Sequence, residues 1–541
     1  MAFLVLFSAN VFAASPVKLT GYDLTLEEVM DVAEGADVVI DPAAIEQMKK
    51  SHKLLMAFAA EGRPVYGLTV GVGLNKDKSI FDADGKLSPE VIALSKQFNK
   101  NALRAHSAAY GPEMPARMVR ATMVIRLNTM LTGRAAAQPY VAELYAAFLN
   151  KNLLPVIPSR GTVGECDITI APHIGLVMMG EWKADFNGKR MTGKDALKAA
   201  GLNALAPYGK DALAILSTNA PAAAQSVLAV MEADHFMKVA PKVFAISLEG
   251  LNGNVAPFLK PVNDVRPFAG FAVASEVIRE ELVGSYLWQP RKGRALQDAL
   301  SYRTSAYVFG GAFEALMNAK RKLTVQINSS DDNPAVVVDA KPGDPALGQL
   351  KGYYLEADGV KGAIYPTANF EPLPFVLDIE YLSIALSHVS RNAAMRTIKL
   401  SDPKFTHLSR FLAADNVAIN FGAIQKPFVA LDAEIRSLAN PVSQDSIPVA
   451  GNIEDTATNS MRAALNLAKI VDNLYYVYGL EMFHATQAVS LRQRDESGII
   501  LGKGTSPMFN AYRKSVPFVT EDRPFSPDIQ NSYEFLKGYA K

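Results

Sequence analysis

The 541-residue sequence predicts a mostly α protein, with an elongated central bundle of long helices and a smaller N-terminal domain of functional loops. Three observations carry this. Apolar residues recur at three-to-four spacing through most of the chain, the pattern of helices with one buried face. The pattern is clearest from Asn459 to Arg492, where Met461, Leu465, Ala468, Val471, Leu474, Val477 and Leu480 share a side. At about 1.5 Å per residue that segment runs roughly 50 Å, a helix for the spine of a bundle. Strand-like alternation is nearly absent after residue 75. Finally, 49% hydrophobic against 20% charged residues suits a helical assembly that buries subunit surfaces as well as its core.

Basic and acidic residues number 55 and 54, with no long run of either sign, so nothing points to nucleic acid or to an acidic partner. The expected division is residues 1–14 as an export signal, 15–225 as the N-terminal domain, and 226–541 as the long-helix bundle with its C-terminal segment. The opening MAFLVLFSANVFAASP resembles the apolar and cleavage regions of a secretory signal. Val11 and Ala13, or Phe12 and Ala14, stand at its −3 and −1 positions. A basic segment before the apolar run is missing, which suggests a start upstream of Met1. Phe3 to Phe12 is too short to span a membrane, and no later segment offers 18 uninterrupted apolar residues. The expectation is therefore a periplasmic protein without a membrane span, against the alternative of an apolar N-terminus on a cytosolic chain. The single cysteine excludes an internal disulfide and does not test the compartment.

In chain order, Thr25 to Gly62 reads as helix, with Leu26, Val29, Val32, Ile45 and Met48 at helical spacing. Pro64-Val-Tyr-Gly-Leu-Thr-Val-Gly-Val-Gly73 interrupts it. Without a GxGxxG or GxxxxGK pattern this is no phosphate cradle. Tyr66 there is either a buried phenol or an acid/base on a lid loop. Gln97 to Gly111 is a helix carrying His106 near its end, residues 113 to 150 continue as helix, and Pro155 and Pro158 break it.

Next comes SRGTVGECDITIAPHIGLVMMG, Ser159 to Gly180. A glycine-punctuated turn delivers Glu165, Cys166 and Asp167 in succession, before an apolar run at helical spacing. A loop entering a helix leaves backbone N–H groups unpaired and the positive dipole end behind them, which would favour a thiolate at Cys166. The plainer reading makes Asp167 the N-cap of a buried helix. Beyond it, Asp185 to Lys198 reads as a hairpin or loop, Asp211 to Asn219 as an apolar run with a polar end, and the chain from about Ala222 as helix. Polar clusters mark helix ends at Gln297–Arg303, Asn328–Pro334, Thr367–Phe370, Ala433–Arg436 and Asn452–Asp455. Seven histidines are scattered and no HxH, HExxH or CxxC occurs, so no metal site is expected.

Together and in this order, these segments resemble the histidine and aromatic amino acid ammonia-lyase family over nearly all of the chain after residue 14. Tyr66-Gly-Leu-Thr-Val-Gly-Val-Gly73 resembles the family's YGxNTGFG loop, and Ala105-His106 its SH pair. Gln297-Asp…Ser301-Tyr-Arg303 is similar to QDxYSxR, Asp332-Asn-Pro334 to TDNP, Asn369-Phe370 to GGNFHG, and Asn452-Ile-Glu-Asp455 to the QED segment. Phe518-Val-Thr-Glu-Asp-Arg523 resembles the family's closing stretch.

The resemblance implies an all-α homotetramer of the ammonia-lyase (L-aspartase-like) type, acting on a small-molecule amino acid or its betaine. It also makes Gly161 to Asp167 the GSVGASGD loop, in which Ala-Ser-Gly cyclises to the electrophile methylidene-imidazolone. Here only Glu165 and Cys166 lie between Gly164 and Asp167, one residue short, and the third position is aspartate rather than glycine. Ring formation is therefore not expected, and no cofactor is assigned. The family's QDxYSxR tyrosine falls on Leu300, its NGT asparagine on Ser217 with Asn219 two residues on, and the histidine after NF on Glu371.

A quaternary ammonium needs no electrophile, since it already leaves as a neutral amine. The expectation is a carbon–nitrogen lyase for a histidine-like or aromatic amino acid or its trimethylammonium betaine, similar to ergothionase-type lyases. The alternatives are release of ammonia, an aminomutase, and a non-catalytic periplasmic binding protein on the same fold. The resemblance implies Tyr66 as base and Arg303 as carboxylate clamp, with Gln297 and Asn333 beside the substrate. Phe370 would stack on it, while Glu454 and His106 would handle a heteroaromatic ring. Glu165 and Asp167 would hold the trimethylammonium, and Asn219 would contact substrate. Lys426 and Lys76, read as loop lysines, would depress the Tyr66 pKa from its reference near 10, or are surface lysines.

Overall fold

The structure, a computed structural model, describes residues 15–71, 89–343, 348–357, 359–414 and 419–539. The expected export signal, residues 1–14, and Lys76 lie outside them. The described chain is mostly α, with 59% helix against 8% strand. It divides into two compact units, and not at one boundary near residue 225. The first takes residues up to Val227 and then Leu323–Leu373 and Ser443–Met461, while the second holds Leu228–Lys322, Pro374–Val442 and Arg462–Lys541. Tertiary packing brings two later polar segments into the N-terminal unit, which a linear composition shift does not reveal.

In the first unit, a Thr25 capping box starts the helix Leu26–Ala33, and Asp41 caps Pro42–Ala60 with Pro42 in its first turn. Two short strands, Val17–Leu19 and Val38–Ile40, pair in parallel around the first helix, so Thr25 to Gly62 is not one helical stretch. The helix Ala116–Leu131 is buried on every side from Met118 to Leu131, which explains its lack of an amphipathic stripe. Strands of three to six residues complete the unit. Leu153–Pro155 pairs with the hairpin Lys183–Phe186 and Lys189–Thr192, and Ala335–Val338, Val360–Tyr365 and Tyr354–Ala357 form a small antiparallel sheet. Strands this short carry too few alternations to be read from sequence, which is why 335–365 was not expected to be sheet. Leu54, Phe58, Val65, Leu68, Val336, Leu355 and Ile364 form a buried cluster between this sheet and the helix Pro42–Ala60.

The second unit carries most of the long helices, Ala220–Leu251, Ser305–Ile327, Leu373–Leu400 and Ser460–Asp495, the last close to its expected span. Its core is aromatic, with Phe236 edge-on to Tyr475 and Tyr478 at 5.4 and 5.0 Å. The buried Arg396 guanidinium forks onto Glu481 at 2.6 and 2.7 Å. Two stretches, Asp211–Leu251 and Leu373–Leu400, have the length and composition to cross a membrane, but the first is 89% buried and the second 50%. Burial of that extent marks the first as a core helix.

Candidate active site

Tyr66 is presented by the turn that follows the helix Pro42–Ala60. Its neighbours Val65 and Leu68 are anchored in the buried cluster, and Thr69 Oγ1 accepts from Val65 N at 2.6 Å while donating to Arg63 O at 2.8 Å. Gly67, at φ 73°, closes the turn by donating to Val70 O at 3.1 Å. His106 ends the helix Pro89–His106, and its Nδ1 donates to Ala102 O at 2.8 Å.

The Glu165 loop is held far more tightly than glycine-rich sequence suggests. A Cβ on Gly164, at φ 96°, would lie 2.6 Å from Ser460 N and 2.8 Å from Asn459 N. Cys166 and Asp167 follow at φ 64° and 40°, two successive non-glycine residues in the left-handed region. Each costs roughly 1–2 kcal/mol and persists only where surroundings impose it. Here Cys166 N donates to Asn219 Oδ1 at 3.2 Å and Cys166 O accepts from Thr218 N at 3.0 Å. Asp167 Oδ1 accepts from Thr162 Oγ1 at 2.7 Å, and Oδ2 from Ala222 N at 2.9 Å.

Two expectations are corrected by these bonds. Asp167 is fully buried and does not cap its own following helix, which starts only at Pro172. Its carboxylate instead satisfies the first turn of the helix Ala220–Leu251, leaving it no role as a cavity wall. Cys166 lies well before the Pro172 helix, and burial pushes its thiol well above the ordinary range, so no thiolate is favoured.

Asn219 is also buried, at 0% exposure, and is not among the described residues lining the cavity. Its Nδ2 donates to Phe370 O at 2.6 Å, and its backbone N donates to Asp331 Oδ2 at 2.7 Å. Asp331 accepts in addition from Thr218 Oγ1 at 2.7 Å and from Arg126 Nη1 at 2.8 Å, and Arg126 Nη2 reaches Asp332 at 2.9 Å. Asn333 Oδ1 accepts from Thr367 N at 2.9 Å, which fixes the approach to Phe370. Val449 N donates to Glu454 O at 2.9 Å and closes the turn that presents Glu454.

These segments enclose a cavity of about 650 Å³ within the first unit. Its polar lining is Tyr66, His106, Glu165, Cys166, Ser217, Asn333 and Glu454, and its apolar wall is Ile168, Leu213, Leu216, Phe370, Val449, Ala450 and Ile453. Six expected residues thus converge there, Tyr66, His106, Glu165, Asn333, Phe370 and Glu454. No lysine or arginine is among the described lining residues. Glu165 is pushed up to about 8, first by burial and then by Glu371, Asp167 and Glu454, and its Oε1 is buried without a hydrogen-bond partner among the described residues. Among the described residues no group of His, Cys, Asp and Glu is placed to hold a metal ion.

Gln297, Arg303 and Lys426 belong to the second unit. Gln297 lines a separate cavity of about 130 Å³ with Asp298, Lys399 and His407. Arg303, in the short helix Leu300–Arg303, has a buried Nε without a partner among the described residues. Lys426 is exposed in the first turn of the helix Gln425–Leu438 rather than on a loop. Sequence reasoning missed the apolar wall, because Leu213 and Leu216 read as ordinary core. It also missed Arg126 behind Asp331, a cation set among apolar residues in the middle of its helix being the available signal.

Comparison with known proteins follows the same lines. Residues 24–514 match the aromatic amino acid lyase family. A histidine ammonia-lyase of Caldanaerobacter subterraneus subsp. tengcongensis is 30% identical over 525 residues, covering 96% of each chain. The crystal structure of the ergothioneine-degrading enzyme ergothionase from Treponema denticola, in complex with desmethyl-ergothioneine sulfonic acid, matches with a TM-score of 0.86 at 38% identity, over 96% of this chain and 98% of that one. Tyrosine aminomutase from Streptomyces globisporus matches with a TM-score of 0.84 at 26% identity, over 96% and 97%.

Proposed function

The chain belongs to the aromatic amino acid lyase family and is a carbon–nitrogen lyase, and from that premise we propose that it eliminates trimethylamine from the betaine of a histidine-like or aromatic amino acid. The single observation carrying this reading is the cavity's charge. Glu165 and Glu454 line it, Glu371 and Asp167 act on Glu165 from nearby, and no lysine or arginine is among the described lining residues. A cationic head beside the Phe370 ring suits such a lining. The ergothioneine-degrading neighbour supports the same substrate class.

In the proposed step the Tyr66 phenolate removes the β-proton. The C–H electrons form the Cα–Cβ double bond, and the C–N electrons leave with the neutral tertiary amine. An aromatic or imidazole ring at Cβ spreads the developing charge, with His106 and Glu454 as its polar partners. Gln297 and Arg303 lie outside this cavity in the same chain, so in the proposed homotetramer with shared active sites the carboxylate would be held by these residues from a neighbouring subunit, a role suited to the planar guanidinium fork. We take the reaction to proceed without methylidene-imidazolone. Closing that ring would require Asp167 N to attack the Glu165 carbonyl carbon, in a loop one residue short and with the Asp167 carboxylate already bound on both oxygens. A homotetramer is part of this reading, since Leu377, Tyr381, Ile384 and Met395 leave apolar surface exposed along one helix.

The test is a product assay with ergothioneine, histidine, tyrosine and phenylalanine, following absorbance of the unsaturated acid and the amine released. Trimethylamine release unaffected by borohydride is expected. Ammonia release from histidine, abolished by borohydride, would overturn the reading.

A further inference from the structure

Asn219 sits behind the cavity wall, where one side chain holds two segments that carry opposing carboxylates. Its Oδ1 accepts from Cys166 N at 3.2 Å, next to Glu165, and its Nδ2 donates to Phe370 O at 2.6 Å, next to Glu371. The partners define which amide atom is oxygen, because an amide N–H and a carbonyl each tolerate only one assignment. The brace is itself fixed, since Asn219 N donates to the buried Asp331. We infer that Asn219 is a positioning residue, which sets the gap between Glu165 and the Phe370–Glu371 segment and thereby the cavity's affinity for a cationic head. This rests on the proposed function.

The physical reason is that Glu165 and Glu371 repel. After burial, Glu371 is the strongest influence raising Glu165, ahead of Asp167 and Glu454. Tyr66, His106 and Cys166 are the other titratable groups lining the cavity. Two unbraced segments could relax apart when both carboxylates are ionised, whereas the buried amide holds them together, so that a proton on Glu165 relieves the repulsion until a cation arrives. A permanent cation then stabilises both carboxylates and displaces the proton that Glu165 carries.

The test is calorimetric titration of the full chain with tetramethylammonium chloride across a pH series, for the native protein, Asn219→Ser and Glu371→Gln. In the native protein, binding should strengthen as pH rises toward about 8, with proton release. Asn219→Ser should bind about tenfold more weakly, and the pH midpoint of binding should move down as Glu165 escapes Glu371. Glu371→Gln should move the midpoint down with the brace intact, and should add little in the Asn219→Ser background. An unmoved midpoint in folded Asn219→Ser, or fully additive shifts, overturns the inference while trimethylamine release leaves the proposed function standing. If Asn219→Ser does not fold, an unmoved midpoint in Glu371→Gln overturns it equally. No tetramethylammonium binding by the native protein at any pH overturns both.

Discussion

Arg126 Nη1 donates to Asp331 Oδ1 at 2.8 Å, and the two side chains are 1% and 2% exposed. The pair lies under the cavity, where the other Asp331 oxygen accepts from Thr218 Oγ1 and Asn219 N. Breaking one side of a buried ion pair leaves an uncompensated charge, at a cost of roughly 3–5 kcal/mol. Arg126→Leu should therefore lower the denaturant midpoint markedly and weaken substrate binding with it. An unchanged midpoint in a urea titration would show that the pair contributes nothing.

Tyr66→Phe keeps the ring and removes only the hydroxyl, so stability should stay near that of the native protein. Loss of a general base lowers the rate by about a hundredfold or more. The expected signature is a fall in kcat with KM little changed. Substantial residual turnover would assign proton removal to another group.

Glu165 governs the pH dependence. Its carboxyl, pushed up to about 8, is mostly protonated at neutral pH, and only the ionised form attracts a cation. The kcat/KM for a cationic substrate should therefore rise with pH through about 8, and Glu165→Gln should flatten that limb while lowering the plateau. A limb that persists in Glu165→Gln belongs to another group, Tyr66 being the first to examine.

Gly164→Ala tests the strained loop. The added Cβ would meet the backbone of Ser460 and Asn459 under 3.0 Å, at a φ that L-residues rarely adopt. The neighbours are backbone atoms and cannot rotate away, so the loop carrying Glu165 must shift. Loss of cation binding and a cost of about 1–3 kcal/mol are expected. Native affinity in this variant would mean that the loop tolerates displacement.

Local chemistry made much of this protein legible. Three-to-four spacing revealed the helices, because a helix buries one face whatever its partners are, and Ser460–Asp495 falls close to where its stripe predicted. Short motifs, each weak alone, brought out Tyr66, His106, Glu165, Asn333, Phe370 and Glu454 through their ordered resemblance to the lyase family, and these residues line one cavity. Asp167 and Asn219 carried the right residue types for substrate contact, yet their partners lie 55 and 151 residues away, at Ala222 and Phe370. Those bonds turned both inward. The strands between 335 and 365 were equally invisible, being too short for alternation to outweigh chance.

The sequence by itself determined a mostly α chain, since periodicity is a local property, and its ordered motifs carried the resemblance to lyases that marks the loop at Glu165-Cys166-Asp167 as altered. Tertiary structure alone decided which of those residues face the cavity and which brace it. Hydrogen-bond satisfaction of a buried polar group depends on what the fold brings within about 3 Å, and no spacing along the chain encodes that.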